Sequence, residues 1–97
     1  MANITRRLFI HGRVQGVGFR WWVCAQARRL GLSGWVRNRY DGSVEALIHG
    51  APDAVEMLTR LAHDGPSHAD VSRVLANDEP GGEDFGTQGR FEQRPSV

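Results

Sequence analysis

A chain of 97 residues, 40% apolar and 24% charged, has the size and composition of one globular domain with a workable core, which excludes an intrinsically disordered chain. No apolar run approaches the ~20 residues that cross a bilayer, the first residues lack a signal-type apolar stretch, and one cysteine, Cys24, excludes an intrachain disulfide framework. The net charge of +1 hides a split: residues 1–40 carry eight arginines and no acid, whereas residues 41–97 carry four arginines against eleven carboxylates.

Thr5–Gly12 alternates, with Leu8 and Ile10 on one face and Arg7, Phe9 and His11 on the other, which predicts a strand. Val14–Arg20 is punctuated by glycine and fits neither period, so it reads as a loop. Phe19, Val23, Ala27 and Leu30 then recur at helical spacing, and Gly31 closes that helix behind Arg28 and Arg29, cations that suit a helix C-terminus. Leu32–Asn38 predicts a second strand, Tyr40-Asp41-Gly42 a hairpin turn, and Val44, Ala46 and Ile48 a third strand ending at Gly50. Pro52 and Asp53 open a second helix whose stripe is Val55, Leu58 and Ala62 with Leu61 beside it, and Gly65-Pro66 ends it. Ala69–Ala76 predicts a fourth strand, although Val71 and Val74 stand three apart, as a β-bulge would require. Residues 77–89 are acidic and rich in glycine, which predicts a mobile loop. Arg90–Arg94 predicts a short, polar last strand that Pro95 stops.

The order β-α-β-β-α-β over a single domain, residues 1–97, predicts an α+β fold of the ferredoxin-like kind. This is a split β-α-β sandwich, with an antiparallel sheet of four to five strands and two helices on one face. In the usual 4-1-3-2 strand order, the first and second strands run the same way with the third between them. Their carboxyl ends then share an edge, about 10 Å apart, and the 14–20 loop lies beside Asn38.

Two segments carry chemistry. Glycine at positions 12, 16 and 18 permits backbone conformations that turn successive N–H groups inward, making an anion nest at a helix N-terminus. Arg20 can add two parallel N–H bonds to a phosphate. The same glycines would also serve a merely tight turn. In the second segment, Asn38 ends a strand, and an amide can orient a water without taking its proton. Asn38 equally suits the start of the turn that follows. The basic first half fits an anionic partner, either a small phosphate compound or a nucleic acid, unless folding mixes the two halves. With no lysine in the chain, Schiff-base chemistry and a Walker-type phosphate loop are excluded.

Together the segments closely resemble the acylphosphatase family. The resemblance runs through Gly12-x-Val14-Gln15-Gly16-Val17-Gly18-Phe19-Arg20, then Gly34-Trp35-Val36-Arg37-Asn38-x-x-x-Gly42-x-Val44, with Gly50 beyond, and Gly65-Pro66-x-x-Ala69-x-Val71-x-x-Val74. It implies hydrolysis of the carboxyl-phosphate bond of a small-molecule acyl phosphate, without metal or cofactor. It also implies that Arg20 matches the family's phosphate-binding arginine and Asn38 its water-orienting asparagine. The backbone of Gln15, Gly16, Val17, Gly18 and Phe19 matches its phosphate cradle.

The remaining residues are read blandly. His11, His49, His63 and His68 lack metal-ligand spacing. Cys24 reads as an inert buried thiol, Asp41 as a turn residue and Glu45 as a strand-surface residue. Trp21 and Trp22 cannot both face the core, so one lies at the surface or on the site's rim. A monomeric cytoplasmic enzyme, bound to neither membrane nor nucleic acid, is the expectation. The alternatives are a ferredoxin-like nucleic-acid-binding module or a catalytically idle acylphosphatase-like domain.

Overall fold

A computed structural model describes residues 2–80 and 89–97. The chain folds in the order β1 (Ile4–Arg13), α1 (Phe19–Arg29), β2 (Ser33–Asn38), β3 (Val44–Gly50), α2 (Pro52–Ala62), β4 (Asp70–Glu79) and β5 (Phe91–Gln93). The five strands form one sheet in the order β4-β1-β3-β2-β5.

Alternation decides which face of the sheet is covered. Leu8 and Ile10 of β1, Val36 of β2, and Val44, Ala46 and Ile48 of β3 point to one side. There they pack with Phe19, Val23 and Ala27 of α1 and with Val55, Leu58 and Ala62 of α2, the stripes expected from their spacing. Both helices therefore lie on one face, as an α+β ferredoxin-like fold requires. Pro52 stands in the first turn of α2 with Asp53 beside it, and Arg28 and Arg29 close α1, each where the helix dipole favours it. Because β1 and β2 both run antiparallel to β3, they are parallel to each other and end on the same edge.

Three features of the sheet differ from the reading of the sequence or sharpen it. The sheet is mixed, not wholly antiparallel: β5 pairs parallel with β2, setting Phe91 opposite Gly34 and Gln93 opposite Val36. The β1–β4 register slips between His11 and Gly12, which face Arg73 and Val71, so Ser72 is the extra residue of a bulge. That extra residue restores the parity of the apolar positions, and Val71 and Val74 both pack on the core despite their odd spacing. Finally, the segment expected as a loop from Asn77 begins too early: Asn77, Asp78 and Glu79 continue β4, opposite Arg7, Arg6 and Thr5. Their polarity suits an edge strand, where Asp78 accepts from Arg6 and Glu79 from Arg7. Most of the remaining expected loop, residues 81–88, lies outside the described residues.

Candidate active site

The turn between β1 and α1 is shaped by glycine where no other residue fits. Gly16 and Gly18 have φ of 74° and 79°, the left-handed region that a side chain disfavours, and no atom stands within 4 Å of where a Cβ would be. The requirement is thus conformational, and the space beside the loop is open. Gly18 is the N-cap of α1, where no side chain caps the helix and no acidic residue sits in its first turn. Among the described residues, the N–H groups of Gln15 to Phe19 donate to no backbone carbonyl, so this end of the helix offers unpaired donors.

Arg20 follows directly as the second residue of α1. Phe19 anchors it: the ring is buried, with its centroid 5.4 Å from that of Trp22 in an edge-on contact at 62°. Among the described residues, the Arg20 guanidinium makes no ion pair and no hydrogen bond, and of the first eight arginines only Arg13 shares this. Arg6, Arg7, Arg37 and Arg39 are all paired with carboxylates of the acidic half. Folding does mix the two halves, and among the described residues it leaves Arg13 and Arg20 without a carboxylate or hydrogen-bond partner.

Asn38 is the last residue of β2, paired with Val44. It projects from the same side as Val36, the side where α1 begins. A cavity of about 130 Å³ lies at this edge, bordered by Gly16, Gly18, Phe19 and Arg20 from the turn, by Asn38, and by Val14, Trp21 and Gln93. Arg20 and Asn38 are therefore brought together with the glycines of the turn. Gln15 and Val17 are not part of the wall: Val17 packs toward the core, and the Gln15 side chain reaches the β2–β3 hairpin. Among the described residues, no carboxylate borders the cavity. Trp21 is 70% exposed at its mouth, whereas Trp22 is half-buried, which settles how the two indoles divide. Among the described residues, no group of three or more His, Cys, Asp or Glu is placed to hold a metal ion. A larger cavity, about 490 Å³, lies toward the far end of α1 between Arg28 and Gly89–Glu92 and holds no residue of either motif.

Two residues of consequence are not evident from sequence spacing. Gln93 reaches the wall because β5 pairs in parallel with β2, a pairing that no local pattern announces. Glu45 is not a surface residue: it is 2% exposed on the open face of the sheet, accepting from Arg7, Arg37 and Arg39. With β3 placed between β1 and β2, alternation alone brings these three arginines around it. Asp41 does serve the turn, its Oδ1 accepting from the N–H and the hydroxyl of Ser43. Burial pushes the Cys24 thiol up, away from the nucleophilic thiolate.

Burial opposes ionisation of Glu45, but hydrogen bonds from Arg37, Arg7 and Arg39 outweigh it and hold the carboxyl below its ordinary value near 4.5. A folded-state value below the unfolded one adds stability that is complete above pH 4.5 and disappears as pH falls through the folded value. Glu45→Gln should therefore cost about 2 kcal/mol at pH 7, and the gap to wild type should narrow toward pH 3. Urea denaturation at the two pH values measures this. A gap independent of pH would show that the carboxylate charge is not what the arginines stabilise.

The comparisons with known proteins bear on the whole chain. The family model described as Acylphosphatase matches residues 6–92. The chain belongs to the acylphosphatase family. An acylphosphatase of Acidovorax sp. strain JS42 is 52% identical over 96 residues, covering 99% of this chain and 95% of that protein. One from Thermococcus kodakarensis is 53% identical, covering 84% of this chain and 91% of that protein. The crystal structure of acylphosphatase from Bacillus subtilis superposes with a TM-score of 0.86 at 33% identity, covering 94% of this chain and 98% of that one. Fold and enzyme class both follow the family: an α+β ferredoxin-like acylphosphatase.

Proposed function

We propose that this chain hydrolyses the carboxyl-phosphate bond of a small-molecule acyl phosphate to a carboxylate and inorganic phosphate, using Arg20, the cradle amides and Asn38 and no metal ion. One observation supports the residue assignment: a guanidinium and helix-start N–H groups without partners among the described residues border one cavity with a strand-end carboxamide. Arg20 and the amides of Gln15 to Phe19 grip the phosphoryl oxygens, where charge gathers in the transition state. The Asn38 carboxamide accepts from the attacking water and aims it along the line opposite the leaving oxygen.

The chemistry needs no strong general acid, because the leaving carboxylate has a pKa near 4 and departs without a proton. Water attacks phosphorus, the acyl oxygen–phosphorus bond breaks, its electron pair leaves with the carboxylate, and the water proton passes to a phosphate oxygen. We also read the chain as a cytoplasmic monomer acting on small molecules, not nucleic acid. The open face of the sheet supports that choice. Guanidinium groups of Arg37, Arg94 and Arg7 cover Trp35 at 4.5, 5.0 and 5.7 Å, and Arg39 stands over Phe9 at 5.7 Å, so neither ring is a free stacking platform.

Turnover of an aromatic acyl phosphate, with and without a chelator, tests the reading: both rates should be equal, with inorganic phosphate competing. Asn38→Ala should lower kcat about 10²-fold while leaving the phosphate inhibition constant within about twofold, since it removes water placement and not the grip. Unchanged kcat with weakened phosphate binding would overturn the role given to Asn38.

A further inference from the structure

Gln15 stands in the middle of the cradle sequence, yet its side chain does not border the cavity. Its Nε2 lies 2.7 Å from the carbonyl oxygen of Arg39 and 2.9 Å from that of Ser43. Both partners can only accept, so the carboxamide nitrogen faces them and gives one N–H to each. These carbonyls flank the base of the β2–β3 hairpin, where the Arg39 N–H also donates to the Ser43 oxygen at 2.9 Å. Asn38 precedes Arg39 in the chain, and its strand partner Val44 follows Ser43. Among the described residues, the two Gln15 bonds are the only hydrogen bonds between residues 14–18 and this hairpin.

We propose that Gln15 is a positioning residue that acts through Asn38, fixing the distance between the phosphate cradle and the amide that aims the water. The proposal rests on the reading of Asn38 given above. The cradle sits at the end of β1 and Asn38 at the end of β2, with β3 between them, so no direct strand pairing sets their separation. The Gln15 carboxamide spans that gap and ties loop to hairpin at two points. In-line attack tolerates little displacement of the water from the phosphorus, and a shift near 1 Å costs about 10² in rate. Glutamine is suited to this task and glutamate is not, because an ionised carboxylate would set lone pairs against two carbonyl oxygens.

The test is a double-mutant cycle of Gln15→Leu and Asn38→Ala, with kcat, KM, the inhibition constant of inorganic phosphate and the melting temperature read for each protein. Gln15→Leu should lower kcat about tenfold with the phosphate constant nearly unchanged, and should lower it less than twofold once Asn38 is alanine. Gln15→Glu, of nearly equal size, should lose as much as the leucine variant; it also serves in the cycle should Gln15→Leu fold poorly. If the Gln15 substitution lowers kcat by the same factor in both backgrounds, or weakens phosphate binding instead, the proposal is wrong while the reading of Asn38 stands. If Asn38→Ala alone leaves kcat intact, it is the underlying reading that fails.

Discussion

Replacing Arg20 with lysine should lower kcat/KM on an acyl phosphate by about 10³-fold, although the charge is kept. Most of the chain's early arginines are already engaged: Arg6, Arg7, Arg37 and Arg39 in ion pairs, Arg28 on the Phe91 carbonyl and Arg29 on Gln26. Arg20 has no such partner among the described residues, and it borders the cavity that the cradle opens onto. A guanidinium presents two N–H groups in one plane, matched to two oxygens of a phosphoryl group, and it is weakly hydrated. An ammonium is a point charge that holds its water and cannot make the paired contact. Its loss should therefore appear in the transition state and also in weaker inhibition by inorganic phosphate, with Arg20→Ala at least as severe. Steady-state kinetics of both variants measure this; a lysine variant within tenfold of wild type would show that charge alone suffices. The same assay separates the two proposed site residues, because Arg20 variants should move the phosphate constant and Asn38→Ala should not.

Local pattern was enough where one residue face decides the structure. The alternation of Leu8 and Ile10, the 19-23-27 stripe of α1 and the Pro52 start of α2 each reflect a short-range rule, and each is observed. Even the odd spacing of Val71 and Val74 was informative, since only an inserted residue lets both reach the core. What stayed hidden depends on contacts distant in sequence. Asn77–Glu79 look like a loop because they are polar, but their carboxylates find Arg6 and Arg7 across the strand pair. Glu45 looks like a surface residue until β3 is flanked by strands that bring three arginines to it. The charge split of the sequence has the same explanation. Much of the basic excess of the first forty residues is answered by acids of the second half, and what remains unanswered among the described residues includes Arg20. At the proposed site, the glycine turn was legible, and so was the expectation that Arg20 and Asn38 would lie close together, since both border one cavity. The Gln15 link and Gln93 were not, because a side-chain bond to a backbone carbonyl and a parallel edge pairing leave no periodic trace.

Phe91→Ala should cost about 3–5 kcal/mol of folding free energy, near the largest loss available to a single truncation in this chain. Its strand, β5, has three residues, too few for backbone pairing alone to hold it on the sheet. The Phe91 ring is 2% exposed within the core shared by α1 and β2, and it is the only buried residue of the strand. Around it the chain is tied by the Arg28 guanidinium on the Phe91 carbonyl at 2.9 Å, by Gly34 N–H on the Arg90 oxygen at 2.9 Å, and by Arg94 N–H on the Val36 oxygen at 2.9 Å. Each of those bonds presupposes that the ring is seated. Truncation would remove the anchor and leave an apolar void that three residues at the sheet edge cannot collapse to fill. Phe91→Leu, which keeps most of the volume, should cost under about 1.5 kcal/mol. Urea denaturation of the two variants measures both values, and a loss below 1 kcal/mol for alanine would show that β5 is not docked as described. The same substitution reaches the site, since a released β5 takes Gln93 from the cavity wall beside Asn38. Turnover of Phe91→Ala should therefore fall several-fold at temperatures where the rest of the domain is still folded, through a residue that touches no substrate.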